Sequence, residues 1–188
     1  MSGFVLDVSG EKVSAPSAGF GPLPTGKYVM SVFDVTPGEF GNNGPNAGRA
    51  NWNVQFRVSD GQEGANRRVF QTVGLFPSWA PTEKNPEGSD NFTFYQFFAA
   101  VQGKSEADFR EEVKKAVEGK GKLKLPQPEE ILGKEVQITL GIEFDEYKWR
   151  KDGAVEDAKD SEEYKRNNVR NIKALAKDEG DKPKVTRL

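Results

Sequence analysis

The 188-residue sequence contains no cysteine and no histidine. Without cysteine the chain has no disulfide and no thiol nucleophile, and without either residue type it has no Cys/His zinc site. Ser-His-Asp catalysis and imidazole acid–base chemistry are excluded for the same reason. A metal would have to be bound by carboxylates alone. We therefore expect a protein that is not an enzyme and needs no cofactor or metal.

Long apolar runs are also missing from the sequence. The longest apolar stretches are far shorter than the roughly 20 residues that span a bilayer. Residues 1–10 have neither a cationic start nor a long apolar segment, so they do not resemble a signal peptide. The sequence thus predicts a cytoplasmic protein with no membrane association.

Charge of neither sign dominates, since 27 Lys and Arg stand against 29 Asp and Glu. The near balance conceals two opposed blocks. Residues 152–163 hold six carboxylates and one lysine, whereas residues 164–177 hold no carboxylate and five cations, Lys165, Arg166, Arg170, Lys173 and Lys177. A basic strand of this kind is predicted to follow a phosphate backbone. The alternative is a solvated strand edge whose cations deter pairing with another strand. The neighbouring acidic block counts against both interpretations, because it would screen the charge of the basic strand or mimic DNA when the site is empty.

The sequence divides into an arm, a domain and a tail. Residues 1–24 are rich in Ser, Gly and Pro and are predicted to form a flexible N-terminal arm. Residues 25–175 are predicted to form the domain, and the charged residues 176–188 a flexible tail. The clearest strand is 51–58, in which Trp52 and every second residue after it are apolar.

Four further strands are predicted at 28–35, 67–76, 136–144 and 167–174, with Pro37-Gly38 ending the first. Asn91 and Ser105 are predicted to cap two helices, 92–102 and one ending near 118, between the third and fourth strands. Five strands with helices in that position are the chain order of an OB-fold. We therefore expect a mainly β protein, a five-stranded OB-fold-like barrel with a helical insertion.

In an OB-fold, oligonucleotides bind the face of strands 2 and 3 and the loops beside it, here 38–49 and 148–163. Side chains suited to phosphates and bases lie on the predicted outer face and in the first loop: Arg49, Asn51, Asn53, Gln55, Arg57, Arg68 and Phe70. An aromatic ring between arginines suits single-stranded nucleic acid, because bases stack on the ring and guanidinium groups hold phosphates. A register shift of one residue would instead place Phe70 in the core.

A second aromatic and basic cluster follows the fourth strand. It consists of Tyr147, Trp149, Arg150 and Lys151, two aromatics beside two cations at the base of a loop. This pattern predicts a stacking platform, with the alternative that Trp149 plugs the end of the barrel. Trp79, in a proline-rich loop, is predicted either to stack on a base or to anchor its own loop.

A catalytic interpretation rests on Glu143, Asp145, Glu146 and Lys148, which are similar to the Glu-x-Lys half of a metal-dependent nuclease site. Short acidic–x–Lys matches are common by chance, and no partner aspartate is evident. Glu143 and Asp145 also fall on the outer face of the fourth predicted strand, where solvent exposure explains them. A nuclease is the least favoured of the three functions considered.

Several short patterns are similar to those of small phage proteins. They are Gly26-x-Tyr28, Leu132-Gly133-Lys134-x-Val136-x-Ile138-x-Leu140, Glu143-x-Asp145-Glu146-Tyr147 and Asn168-Val169-Arg170-Asn171-Ile172. Together they resemble the OB-fold single-stranded DNA-binding proteins of phage replication and recombination modules. The resemblance implies binding of single-stranded DNA without strong sequence preference, in the host cytoplasm, with replication or recombination proteins as further partners. It assigns no contact residues.

One feature departs from that family. Many of its members end in an acidic tail that recruits partners, whereas this chain ends Lys184-Val185-Thr186-Arg187-Leu188, so recruitment through the tail is not expected.

The sequence therefore predicts a non-catalytic protein that binds single-stranded DNA. The alternative is a protein–protein module, such as a phage structural part or an inhibitor of a host enzyme, which the acidic block favours. The sequence does not determine the oligomeric state, and a homodimer is compatible with it.

Overall fold

The computed structural model describes residues 21–119 and 121–175. The predicted tail, 176–188, lies outside these residues, as does the predicted arm up to residue 20. The chain order is β1 (Gly26–Glu39), β2 (Ala50–Val58), β3 (Arg68–Gly74), β4 (Ser78–Trp79), β5 (Ser89–Asp90), α1 (Phe92–Val101), α2 (Glu106–Glu118), α3 (Pro128–Ile131), β6 (Glu135–Phe144), α4 (Glu146–Lys151), the 3₁₀ turns Glu156–Asp160 and Glu162–Tyr164, and β7 (Lys165–Ala174).

The five long strands form one antiparallel sheet in the order β3-β2-β1-β6-β7. The predicted β-rich fold, with helices between the third and fourth long strands, is confirmed. Closure into a barrel is not: in the described residues no ladder joins β3 to β7, the two edges of the sheet. These edges nevertheless face each other across a groove that residues of both strands line.

The alternation of apolar residues predicted, with one exception, which side chains of β2 and β3 are buried and which face outward. Trp52, Phe56 and Val69 are buried, and Phe70 points outward with 66% of its surface exposed. The alternative that placed Phe70 in the core is therefore wrong. Asn51 is the exception on the outer face, since it is only 4% exposed.

Strand β1 is longer than predicted and contains a bulge. Val32 pairs with Phe56 and Asp34 with Gln55, so Phe33 is the extra residue. β2 pairs with β1 through Pro37 to Glu39, whereas β6 pairs only with residues 26–31 of β1. Beyond that point β1 has a strand partner on one side only, and a proline is tolerated there.

Helix α1 packs against β7, β3 and β6, and its aromatic face supplies much of the core. The ring centroids of Phe97 and Phe98 lie 6.4 and 5.4 Å from that of Trp52 on β2. The predicted cap is confirmed: the Asn91 side chain accepts from the backbone nitrogen of Phe94. Ser105 caps α2 in the same way.

Residues 21–24 run across one end of the sheet and belong to the packed domain. Leu23 is buried, and both its backbone nitrogen and its backbone oxygen bond to the side-chain amide of Asn167 on β7. Arg67, just before β3, donates to the backbone oxygen of Gly21. This segment therefore ties β7 to the start of β3 at one end of the groove between them.

Candidate nucleic-acid interface

The outer face of β2 and β3 brings together four of the predicted contact residues. Arg57 lies directly opposite Arg68, Gln55 opposite Phe70 and Asn53 opposite Thr72, which are the pairs expected from a regular hairpin register. The alternation that buries Trp52 and Val69 turns these side chains outward.

Phe33 joins this face from the bulge of β1. Its ring is 37% exposed, and the guanidinium carbons of Arg57 and Arg68 lie 4.9 and 4.3 Å from the ring centroid. Within residues 21–119 and 121–175, neither guanidinium forms an ion pair with a carboxylate. In the described chain the face therefore presents two exposed rings and two arginines that form no ion pair. We call Phe33, Arg57, Arg68 and Phe70 the aromatic–arginine face.

Polar side chains border the aromatic–arginine face. The Asn53 side-chain oxygen accepts from the Thr72 hydroxyl at 2.9 Å. Asp34, a carboxylate on the same side of the sheet, accepts from the Gln55 amide nitrogen at 3.2 Å. The Gln55 side-chain oxygen is buried and receives no hydrogen bond in the described structure. Asp34 thus places one negative charge on the same side of the sheet as the two arginines.

Arg166 lies across the groove from the aromatic–arginine face but is already paired. Its guanidinium bonds to Glu143 at 2.8 and 2.9 Å and approaches Asp145 at 3.8 Å. Lys165, beside it, is paired with Glu162 at 2.6 Å. These two predicted phosphate ligands therefore hold carboxylates, one of them from the acidic block.

Arg170 and Lys173 lie farther along β7. Arg170 is the extra residue of a second bulge, which lies in β7. Its guanidinium lies over the backbone of Gly141 on β6, and any side chain at position 141 would clash with it. Lys173 is exposed opposite Gln137. In the described chain neither cation has a carboxylate partner, but neither adjoins the aromatic–arginine face.

Arg49 anchors the loop between β1 and β2. Its guanidinium carbon lies 3.4 Å from the centre of the Phe76 ring, and its Nη1 donates to Asn46 Oδ1 and to the backbone oxygen of Ser78. Phe76 also contacts the ring of Trp79, with 5.0 Å between centroids. Of the two alternatives for Trp79, loop anchoring matches this geometry.

The cluster after the fourth strand is part of α4, which replaces the loop predicted there. Trp149 packs on Phe144 and donates its indole nitrogen to the backbone oxygen of Val155, so it holds the 146–160 segment together. Arg150 is paired with Glu146. Lys151 is exposed, and Tyr147 is the most open of the aromatics in this cluster, with 75% of its surface exposed.

The residues of the nuclease interpretation are engaged in other contacts. Asp145 caps α4 by accepting from the Lys148 backbone nitrogen, and the Lys148 amine is paired with Glu163. Glu143 is held by Arg166. In the part of the chain that the structure covers, no group of three or more carboxylates is placed to hold a metal ion.

Phe33 is the residue that the sequence-based prediction missed. The apolar pattern of β1 contains a signal for it. Met30 and Val32 face the core, and regular alternation would place Asp34 there next, but the next residue that faces the core is Val35. An apolar pattern that skips one position marks a bulge, and the bulged residue is turned to the outer face.

Comparison with models of known protein families and with curated protein sequences found no match. No helix in the described parts of the chain is both long and apolar enough to cross a lipid bilayer.

Proposed function

We propose that this protein is a non-catalytic binder of single-stranded DNA and that the aromatic–arginine face is its binding surface. The observation that carries the proposal is the arrangement of Phe33 and Phe70, two exposed rings, with Arg57 and Arg68, which have no carboxylate partner in the described chain. An isolated exposed phenylalanine needs no explanation. Two of them beside two arginines that form no ion pair in the described chain suit a ligand with aromatic and anionic groups.

Single-stranded nucleic acid has both properties. Its unpaired bases offer π-faces that stack on aromatic side chains, and its phosphates bind guanidinium groups. In a duplex the base faces are already stacked on one another, so exposed rings have less to bind. Stacking does not depend on base identity, which supports binding without strong sequence preference.

We further propose that the sheet is a partly open OB-type barrel. Its chain order, the helices between the third and fourth long strands, and the facing edges of β3 and β7 support this assignment. The proposed surface would then lie where OB-folds bind oligonucleotides. A role in phage replication or recombination rests on the sequence resemblance alone.

The test is a fluorescence-anisotropy titration with labelled oligo-dT at about 50 and about 200 mM salt. We expect binding at low salt that weakens steeply as salt is raised, because released counterions contribute to the affinity. Absence of binding at low salt would end the proposal.

Matched variants connect that binding to the face. Phe70→Ala should weaken binding about fivefold or more, since stacking contributes about 1–3 kcal/mol per base. Phe92→Ala removes a similarly exposed ring, 58% accessible, from α1 and should leave binding unchanged. The double variant Arg57→Ala/Arg68→Ala should weaken binding more than Lys114→Ala/Lys115→Ala, which removes the same charge from α2.

A protein partner is the second candidate, because exposed aromatic and arginine side chains also dominate protein–protein interfaces. It would leave oligo-dT unbound at low salt. The two functions are therefore separated by the same titration.

A further inference from the structure

The groove between β3 and β7 continues the aromatic–arginine face towards the other edge of the sheet. Arg68 and Phe70 of that face line the groove on the β3 side. Its far side is lined by Glu143 on β6 and by Arg166 and Asn168 on β7. The volume of the groove, about 500 Å³, is within the roughly 300–1,000 Å³ typical of ligand sites. A strand bound on the aromatic–arginine face would therefore reach these three residues through the groove.

Donors from two side chains of β7 hold the Glu143 carboxylate in the groove. Arg166 Nε donates to Glu143 Oε1 at 2.9 Å, and Arg166 Nη2 lies 2.8 Å from the same oxygen. The Asn168 amide nitrogen donates to Oε2 at 2.9 Å. Residues 166 and 168 are two apart on one strand, so their side chains lie on the same face. Both carboxylate oxygens are thus bound by neighbouring donors.

The donors that hold Glu143 are also suited to a phosphate group. A guanidinium binds carboxylates and phosphates with the same paired N–H···O bonds. Because a carboxylate can only accept, the bond to Glu143 fixes the Asn168 amide with its nitrogen towards the anion. Arg166 and Asn168 therefore form a site for an anion that offers two oxygens on one atom, and the Glu143 carboxylate fills that site.

The bond between Glu143 and Arg166 is weak enough to be exchanged for another. The two side chains are 37% and 54% exposed. An ion pair with that exposure changes an equilibrium constant by about fivefold at most. A strand whose base stacks on Phe70 brings its neighbouring phosphates to the same groove, so their effective concentration at Arg166 is high. A bound strand can therefore compete with the Glu143 carboxylate.

We propose that Arg166 and Asn168 form a phosphate site of the DNA-binding surface, and that a backbone phosphate of the bound strand displaces the Glu143 carboxylate from it. This inference rests on the proposed function. Glu143 then lowers the affinity for single-stranded DNA. It lowers the affinity for small free anions even more, because such anions have no further contacts on the aromatic–arginine face to offset the loss of the Glu143–Arg166 pair.

The experiment measures oligo-dT binding to Glu143→Gln by fluorescence anisotropy over a series of salt concentrations. Glutamine keeps the size of the side chain and removes the charge that competes for Arg166. We expect binding about two- to fivefold tighter at low salt. The slope of log K against log[salt] should be steeper by about 0.7, because the phosphate no longer exchanges for a carboxylate.

Glu112→Gln is the matched control for the loss of one paired carboxylate. Glu112 lies on α2, is partly exposed and is paired with Lys104 at 2.7 Å, but it does not line the groove. The variant has the same net charge as Glu143→Gln. It should bind oligo-dT as the wild type does.

A second comparison separates a phosphate contact from a change in local charge. Adding Arg166→Ala to Glu143→Gln should abolish the gain in affinity, whereas adding Lys159→Ala should preserve most of it. The amine of Lys159 lies 5.9 Å from the ring of Phe144, the neighbour of Glu143, but Lys159 does not line the groove. The two double variants therefore carry the same net charge and differ in the proposed phosphate ligand.

Each outcome bears on a different claim. Unchanged affinity in Glu143→Gln, an equal gain in Glu112→Gln, or equal losses from Arg166→Ala and Lys159→Ala overturns the phosphate site and leaves the proposed function standing. Failure of the wild type to bind oligo-dT at low salt overturns the proposed function itself. Circular dichroism checks that the variants fold. If Glu143→Gln does not, Arg166→Ala and Lys159→Ala are compared in the wild-type background, where equal effects on binding contradict the inference.

Discussion

Arg57 and Arg68 lie directly opposite each other on β2 and β3, and both guanidinium groups rest on the ring of Phe33. Like charges at opposed positions of an antiparallel pair are destabilising. The face of an aromatic ring attracts cations and offsets part of that repulsion. The bulge in β1 therefore creates a place where two positive charges are held close together and neither forms an ion pair with a carboxylate of the described chain. Such an arrangement favours anion binding over stability.

The first prediction concerns Arg68→Ala. Removing one of two repelling charges should leave the free energy of unfolding unchanged or raise it by up to about 1 kcal/mol. The same change should weaken oligo-dT binding and reduce the slope of log K against log[salt] by about 0.7, because the variant neutralises one phosphate fewer. Thermal unfolding and a salt series of titrations measure both effects. A large drop in melting temperature with unaltered binding would mean that Arg68 is a structural residue.

The second prediction separates ring stacking from apolar packing at Phe33. Phe33→Leu keeps an apolar side chain but removes the π-face that Arg57 and Arg68 contact. It should weaken oligonucleotide binding about fivefold or more, whereas Phe33→Trp should retain it. Affinities measured at one salt concentration decide the matter. Equal binding by the two variants would show that the ring does not stack on a base.

Most of the aromatic–arginine face could be predicted from sequence because local patterns determine it. Alternation through Trp52 and Phe56 on β2, and through Val69 on β3, sets which side of each strand is buried. Once that side is known, Arg57, Arg68 and Phe70 must lie outside. The helix caps at Asn91 and Ser105 are equally local, since each bonds to a backbone nitrogen three residues on.

The contacts that could not be predicted join residues far apart in the sequence. The sequence predicts phosphate binding by Arg49 but does not predict its stacking on Phe76, whose proximity depends on the path of the chain after β3. The sequence predicts that Trp149 is a stacking platform or a plug, whereas it lies within helix α4, which charge composition did not indicate, and packs on Phe144. The pairing of Arg166 with Glu143 depends on the register of β6 and β7.

The third prediction tests Arg49 as a loop anchor. Arg49→Ala and Arg49→Lys should both speed amide hydrogen exchange across residues 40–48. A lysine cannot reproduce the planar stacking on Phe76 together with the bonds to Asn46 and Ser78. Exchange mass spectrometry of the loop peptide makes the measurement. Wild-type protection in Arg49→Lys would show that charge alone suffices at this position.

The fourth prediction compares two helix caps. Asn91 is fully buried, and besides capping α1 it donates to the backbone oxygens of Gly74 and Phe76. Asn91→Ala should therefore lower the free energy of unfolding by about 2–4 kcal/mol, because it removes a cap and leaves buried carbonyls unpaired. Ser105→Ala, at an exposed cap, should lower it by only about 1 kcal/mol. Urea unfolding gives both values, and equal losses would contradict the role assigned to Asn91.

The fifth prediction is a pH effect at Tyr95. Burial raises the pKa of the Tyr95 hydroxyl, the charge of Asp90 raises it further, and Arg110, 3.9 Å from the ring, opposes the shift. The folded protein therefore keeps a proton that the unfolded chain releases near the ordinary pKa of about 10. Stability should be unaffected by this group below about pH 10 and should fall as the pH rises above it.

Urea midpoints of the wild type at pH 8, 9, 10 and 11 measure that fall. Lysines also lose their charge in this range, so the wild type alone is not sufficient. Tyr95→Phe removes the hydroxyl, and we expect its midpoint to decrease less between pH 9 and 11 than that of the wild type. Tyr147→Phe, at a side chain that is 75% exposed, should follow the wild type. If Tyr95→Phe follows the wild type as well, burial of Tyr95 does not contribute to the alkaline loss of stability.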